Sequence, residues 1–201
     1  MRAIKYGVFL LALLPITVLC WRVFTNSLGP DPADTLASET GEWAFRFLLL
    51  SLAITPLRNI GGWPKIFPFR RTFGLFALFY ACVHFLVYLL FLLQLRWTEI
   101  FEDIIERPYI TVGFTAFVLL LVLGVTSTKK MMRRLGRRWK QLHSLVYLIN
   151  ILALIHLIWI LRTDLTEAVF YASILLPLLA YRVYRRYVSN ASKHINLSTS
   201  N

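Results

Sequence analysis

Three histidines lie in long apolar runs of the sequence, where an ionisable side chain is costly unless it has a partner or a chemical role. His143 and His156 share one run, GRRWKQLHSLVYLINILALIHLIW at 136–159, and His84 lies in the middle of another. Neutral imidazole is a common metal ligand, and histidines on two helices of a membrane bundle can bind one haem iron from both sides. These residues therefore predict axial haem ligation.

Membrane-spanning helices are the elements that must position these histidines. The chain has 201 residues and is 58% hydrophobic, a composition typical of a polytopic membrane protein. Its apolar runs predict an all-α bundle of six transmembrane helices, at 6–23, 43–57, 73–95, 108–126, 136–161 and 168–183. We assign 1–187 to this helical domain and 188–201, with a solvated His194, to a polar, disordered tail. We recognise no soluble domain, nucleotide-binding motif or repeat array.

The charges of the connecting segments alternate along the chain. The N-terminus, loops 58–73 and 127–142 and the C-terminal tail are basic, whereas 25–42, 96–107 and, more weakly, 162–167 are acidic. The positive-inside rule therefore predicts that both termini lie in the cytoplasm. The net charge of +12 comes largely from these short loops, so we expect membrane lipid as a partner and no nucleic acid.

Depth in the membrane selects one pair of histidines. His84 lies 13 residues beyond Arg71, and His156 lies 16 residues beyond Lys140. These separations correspond to helix rises of about 20 and about 24 Å from the inner basic edge. His143 follows Lys140 by only three residues and is near the inner surface. Because an iron between parallel helices needs ligands at similar depth, we predict His84 and His156 as the axial ligands.

His143 leaves alternatives open. It lies about 140° from His156 around an ideal helix, so the two residues do not share a narrow stripe. A second haem would therefore need an unusual ligand opposite His143. The residue either serves an inner redox site or, beside Arg138 and Lys140, contacts a lipid or an anionic cofactor. For each of the three histidines, a simple hydrogen bond to a neighbouring carbonyl is the non-redox alternative.

The sequence resembles the MsrQ family, formerly YedZ, in four segments: RRTFGLFALFYACVHFLVY at 70–88, RPYITVGF at 107–114, TSTKKMMRRLGRRWKQLHSLVYL at 126–148 and IHLIW at 155–159. The similarity extends from the DPADTL loop at 31–36 to the last predicted helix. Members of that family are haem-binding inner-membrane subunits of a bacterial periplasmic methionine sulfoxide reductase system. They belong to the wider ferric-reductase-like transmembrane group.

This resemblance implies haem b, non-covalently bound FMN, and electron supply from the quinone pool or a cytosolic flavin reductase. The implied acceptor is a periplasmic molybdopterin subunit, MsrP, which reduces methionine sulfoxide in oxidised envelope proteins. For the FMN phosphate, the candidate contacts at the inner edge are Arg70, Arg71 and Lys140. The implied location is the bacterial inner membrane.

The family resemblance also bears on the number of haems. His84, His143 and His156 fall on the family's histidine motifs. NADPH oxidases, in the same wider group, carry paired histidines on both ligand helices, whereas this chain has only one on its third predicted helix. That difference favours one haem with an inner flavin and leaves a second haem open.

We therefore predict a transmembrane electron-transfer subunit that has no catalytic site of its own. One alternative is a self-sufficient membrane enzyme that reduces ferric iron or oxygen at the outer face. Another is a non-redox transporter or scaffold, whose histidines bind protons or lipid. A Soret band in the purified protein separates the last alternative from the other two.

Overall fold

The computed structural model describes residues 2–161 and 164–198, without the side chains of residues 2, 100–101 and 189–198. The described residues are helical with short connections, and the prediction of an all-α protein is confirmed. The α-helices are α1 Arg2–Phe24, α2 Pro32–Ile60, α3 Phe69–Val87, α4 Trp97–Glu106, α5 Pro108–Val125, α6 Lys129–Leu135, α7 Arg137–His143, α8 Leu145–Leu161 and α9 Thr166–Ser198. A 3₁₀ turn at Pro64–Ile66 precedes α3, and a π-helical turn at Tyr88–Leu92 extends it.

Several helices are long and apolar enough to cross a membrane. In the described residues these candidate spans are Ala3–Phe24, Pro64–Leu92, Pro108–Val125, Arg137–Leu161 and Thr166–Val188. Five of the six predicted spans therefore have a counterpart. The remaining prediction, 43–57, lies within α2, which is long but is not among the five. A sixth span through α2 stays a prediction.

Partly buried charged side chains help to explain why α2 is less apolar than its neighbours. Glu42 and Arg46 form an ion pair one helical turn apart, and Arg46 Nε donates a hydrogen bond to the Tyr171 hydroxyl of α9 at 2.8 Å. Farther along α2, Phe47 and Leu52 are 3% and 1% exposed, so this helix lies in the bundle interior. These two charges are paired with each other, where a membrane would otherwise make them costly.

Tyr80 of α3 fixes α1 to the rest of the bundle. Its side chain is fully buried, and its ring stacks on that of Phe47, with centroids 5.3 Å apart. The Tyr80 hydroxyl donates to the Ala12 carbonyl at 2.9 Å and accepts from the Ile16 amide at 3.1 Å. Those two backbone groups would bond to each other in a regular helix, so the hydroxyl is inserted into the hydrogen-bond ladder of α1.

Two helical pairs form the centre of the fold: α3 packs mainly on α2, and α8 mainly on α5. Arg70 at the start of α3 lies within electrostatic range of His143, which immediately precedes α8. Toward the far ends of the same helices, His84 contacts His156. Arg70 precedes His84 on α3 as His143 precedes His156 along α7 and α8, so this order indicates that α3 and α8 run in the same direction.

The C-terminal helix α9 continues to Ser198. The division into a helical domain at 1–187 and a disordered tail at 188–201 stays a prediction, and 199–201 lie outside the described residues. The His194 side chain also lies outside the described side chains, so its predicted exposure to solvent stays a prediction.

Candidate metal centre

The rings of His84 on α3 and His156 on α8 lie next to each other in the bundle. Their ring centroids are 6.3 Å apart, and the ring planes are inclined by 82°. A metal–nitrogen bond of about 2 Å, plus about 1.2 Å from that nitrogen to the ring centre, predicts centroids about 6.4 Å apart for two imidazoles on opposite sides of one ion. The spacing of the two rings therefore fits a single iron bound between them.

Hydrogen bonds orient both imidazoles. His84 Nδ1 is 2.8 Å from the Ala37 carbonyl of α2, and His156 Nδ1 is 2.7 Å from the Tyr109 carbonyl of α5. A carbonyl can only accept, so each Nδ1 donates its proton, and each neutral ring keeps the lone pair on Nε2 for a metal. A backbone carbonyl is a usual partner of a metal-binding histidine, because it fixes the tautomer and the ring orientation.

A glycine makes room for each ring. A Cβ atom on Gly41 of α2 would lie 3.0 Å from His84 Nδ1, and one on Gly113 of α5 would lie 2.6 Å from Nδ1 and Cε1 of His156. Both rings therefore lie directly against a helix backbone that carries no side chain at that point. Sequence analysis missed both glycines, because neither belongs to a motif with recognisable metal chemistry.

The two halves of the centre are built alike. Each half consists of a carbonyl that accepts from the histidine, a glycine beside the ring, and the histidine itself. The corresponding residues are 72 positions apart: Ala37 and Tyr109, Gly41 and Gly113, His84 and His156. The repeat is visible in the sequence as GEWAFRFLLL at 41–50 and GFTAFVLLLV at 113–122, which share Gly, Ala-Phe and Leu-Leu at matching places. Sequence analysis found no repeat array, and this two-copy repeat is the signal that would have identified the glycines.

His143, at the end of α7, has a different environment. Its Nε2 lies 3.1 Å from the Thr126 hydroxyl, and its ring stacks on Trp139 with centroids 4.0 Å apart. Trp139 Nε1 donates to the Thr126 carbonyl at 3.0 Å, so the three residues form one network. The Thr126 hydroxyl donates to the Val122 carbonyl at 2.7 Å and so accepts from His143. The structure does not bring His143 to the pair formed by His84 and His156.

The predicted phosphate contacts separate into two kinds. Arg70 is partly buried beside His143, whereas Arg71 and Lys140 are exposed. Arg71 lies 72 positions before His143, so the first copy of the repeat has an arginine where the second has a histidine. The end of the bundle that holds His143 therefore carries basic side chains and, among the described residues, no second histidine beside His143.

Comparison with known proteins gives consistent results. Residues 40–154 match the family described as ferric reductase like transmembrane component. The chain is 47% identical over 190 residues to the protein-methionine-sulfoxide reductase heme-binding subunit MsrQ of Xanthomonas euvesicatoria pv. vesicatoria (strain 85-10), with 92% of this chain and 87% of the relative covered. The protein of the same name from Herminiimonas arsenicoxydans is 40% identical over 200 residues, with 98% and 92% covered. No solved structure matches. The chain therefore belongs to the MsrQ family of ferric-reductase-like transmembrane proteins.

Proposed function

We propose that this protein is the electron-transfer subunit of a methionine sulfoxide reductase system in the bacterial inner membrane. It binds one haem b between His84 and His156 and passes electrons outward to a periplasmic molybdopterin subunit, MsrP. The observation that carries the proposal is the matched histidine pair, whose ring spacing and Nδ1 hydrogen bonds fit a six-coordinate iron. Haem supplies a carrier that takes and releases one electron at a time.

The position of the histidine pair supports outward transfer. Tyr109 is the second residue of α5, so the His156 side of the centre lies within one turn of the helix start. The acidic helix α4, with exposed Glu102 and Glu106 and a partly exposed Glu99, directly precedes α5. Under the proposed topology, this end of the bundle is the periplasmic one. An acceptor that docks there approaches the iron closely.

The inner end then needs its own means of electron entry. His143 precedes His156 by 13 residues, about 20 Å of helix rise, which separates an inner donor from the outer iron. We propose a non-covalent FMN at the inner end, supplied by quinol or by a cytosolic flavin reductase. Arg70, beside His143, is the best placed of the three predicted phosphate contacts. Because the described residues contain one histidine pair, we propose one haem and assign electron entry to the flavin.

The proposed topology has six spans, including α2, and cytoplasmic termini. We expect reporter fusions after Ser38, Asp103 and Asp164 to give periplasmic signals, because lysine and arginine are concentrated in the other connections and at the two ends of the chain. Fusions after the basic positions Lys65, Arg134 and Lys193 should give cytoplasmic signals, and they serve as the matched controls. A cytoplasmic signal at Asp103 would overturn the orientation. Signals of one kind at Ser38 and Lys65 would show that α2 does not span.

Transfer to the partner subunit tests the function itself. We expect the dithionite-reduced protein to keep its ferrous haem spectrum in the absence of oxygen, and to lose it when MsrP and methionine sulfoxide are both added. Two electrons and two protons convert the sulfoxide to a thioether and water, so two ferrous proteins are oxidised for each sulfoxide reduced. The measurement is the decay of the reduced α band in a stopped-flow spectrometer, with MsrP alone as the control.

The same assay separates the alternatives. Oxidation by a ferric chelate or oxygen, with none by MsrP and sulfoxide, would support the surface reductase, which the description of the matched family also favours. A purified protein without any Soret band would instead support the non-redox transporter or scaffold.

A further inference from the structure

Arg182 of α9 lies half-buried at the inner end of the bundle. Its Nη2 donates to the Leu52 carbonyl of α2 at 3.0 Å. That carbonyl has no helical partner, because Pro56 four residues later has no N–H to donate. The guanidinium carbon also lies 5.7 Å from the centre of the Tyr147 ring. The Nε–H of Arg182 is buried and has no hydrogen-bond partner, which is a costly state for a charged group.

The nearest charged groups to Arg182 include two more arginines. Arg70 and Arg58 both lie within electrostatic range of its guanidinium, and both are partly buried. Arg58 is held in place by the ring of Phe67, 4.8 Å away, and by hydrogen bonds to the Asn59 side chain at 2.9 and 3.0 Å. Both arginines therefore repel the half-buried Arg182 guanidinium, and this repulsion opposes folding.

No side-chain carboxylate neutralises this arginine cluster of Arg58, Arg70 and Arg182. All ten acidic residues of the chain lie at 31–42, 99–106 and 164–167. In the part of the chain that the structure describes, the ion pairs are all formed with those residues: Arg22–Glu39, Arg46–Glu42, Arg96–Glu99 and Arg107–Asp103. Within the described residues, the arginine cluster therefore has no carboxylate as a counter-charge.

We propose that the arginine cluster binds a phosphate group at the inner membrane surface. Guanidinium donors match phosphate oxygens in geometry, and a buried Nε–H without a partner is a donor that such an oxygen would satisfy. Two sources share this chemistry: the phosphomonoester of a flavin nucleotide and the phosphodiester of a lipid headgroup. This site differs from the contacts predicted by sequence, since Arg71 and Lys140 are exposed and Arg58 and Arg182 replace them. It does not depend on haem binding by the histidine pair.

The test compares Arg182→Gln with Arg185→Gln, a control that removes an exposed arginine from the same helix. Glutamine has no guanidinium and ends two atoms earlier than arginine, so the variant removes the positive charge together with the Nη2 hydrogen bond to the Leu52 carbonyl. Each purified protein is titrated with FMN and with riboflavin, which differ only in the phosphate. Phospholipid retained per protein after extensive detergent washing is measured by mass spectrometry.

A nucleotide source predicts that the wild type binds FMN about tenfold more tightly than riboflavin, as expected for charge-assisted hydrogen bonds, and that Arg182→Gln abolishes this preference. A lipid source predicts no such preference, with retained phospholipid falling by half or more in Arg182→Gln. In both cases Arg185→Gln should match the wild type. If Arg182→Gln equals Arg185→Gln in both measurements, the proposal is wrong.

Partly exposed members of the arginine cluster provide a second test if Arg182→Gln does not fold. Arg58→Gln and Arg70→Gln should each lower the measured quantity that identifies the source, which is either the preference for FMN over riboflavin or the amount of retained phospholipid. The double variant should lower that quantity further. A monodisperse elution profile reports folding in every variant. A wild-type protein that elutes normally and binds no haem would overturn the proposed function. The phosphate measurements would still test whether the arginine cluster binds phosphate.

Discussion

His84→Ala and His156→Ala are each expected to remove most of the haem from the purified protein. The two rings have the spacing of a pair that shares one metal, so loss of either leaves the iron with a single protein ligand. Haem that remains should show a high-spin spectrum, because one strong axial ligand is missing. The measurements are the haem content per protein, from the pyridine haemochrome, and the absorption spectrum of the reduced form.

The double variant sharpens this prediction. If both histidines bind one iron, the second substitution has little left to remove, and the two losses should not add. His143→Ala is the matched control, because this residue lies in an apolar run yet is hydrogen-bonded to Thr126. It should keep most of the haem and, if anything, slow electron entry at the inner end. Haem loss in His143→Ala with retention in His156→Ala would show that the pairing is wrong.

Gly113→Ala is expected to lower haem affinity by about 10- to 100-fold, the usual effect of disturbing the residues that orient a metal ligand. The new Cβ would lie 2.6 Å from two atoms of the His156 ring, so the ring must move away from the Tyr109 carbonyl. Gly41→Ala should have the same kind of effect with a smaller size, because its Cβ would lie 3.0 Å from His84. The measurement is haem retention during dilution or transfer to apomyoglobin.

The control for both glycine variants is Gly74→Ala on α3, the helix that carries His84. A Cβ at that position would meet only the Ser51 hydroxyl, at 3.7 Å, which is ordinary contact. Alanine is intrinsically more favourable than glycine within a helix, so poorer helix formation cannot explain haem loss in any of the three variants. Equal haem retention in Gly113→Ala and Gly74→Ala would show that close packing on the histidine is unimportant.

Local patterns in the sequence predicted much of this architecture. Apolar runs gave five helices that have counterparts among the candidate spans, and counting residues from the basic edges brought His84 and His156 to similar depth. Both inferences depend on the regular rise of a helix along one segment. The structure places the two imidazoles beside each other, as that comparison of depths predicts. Their binding of iron stays a prediction.

Features that depend on contact between helices could not be predicted from local patterns in the sequence. The carbonyls of Ala37 and Tyr109 accept from histidines 47 residues away, and nothing in either local sequence marks those particular carbonyls. The interior position of α2 was also hidden, because Glu42 and Arg46 reduce its apparent hydrophobicity while pairing with each other. Arg182 falls at the end of the last predicted helix, and nothing in its local sequence indicates that it donates to the Leu52 carbonyl, which Pro56 leaves without a helical partner.

The 72-residue repeat has a consequence for the ancestry of this protein. A hairpin of two helices with one histidine supplies half of a ligand pair, so its simplest functional form is a symmetric homodimer around one haem. Duplication and fusion of its gene would yield a single chain with the same centre and a pseudo-twofold axis between His84 and His156. Fusion frees each copy to change alone. Arg71 in the first copy corresponds to His143 in the second. The two subunits of a homodimer have identical sequences, so this difference could arise only after fusion.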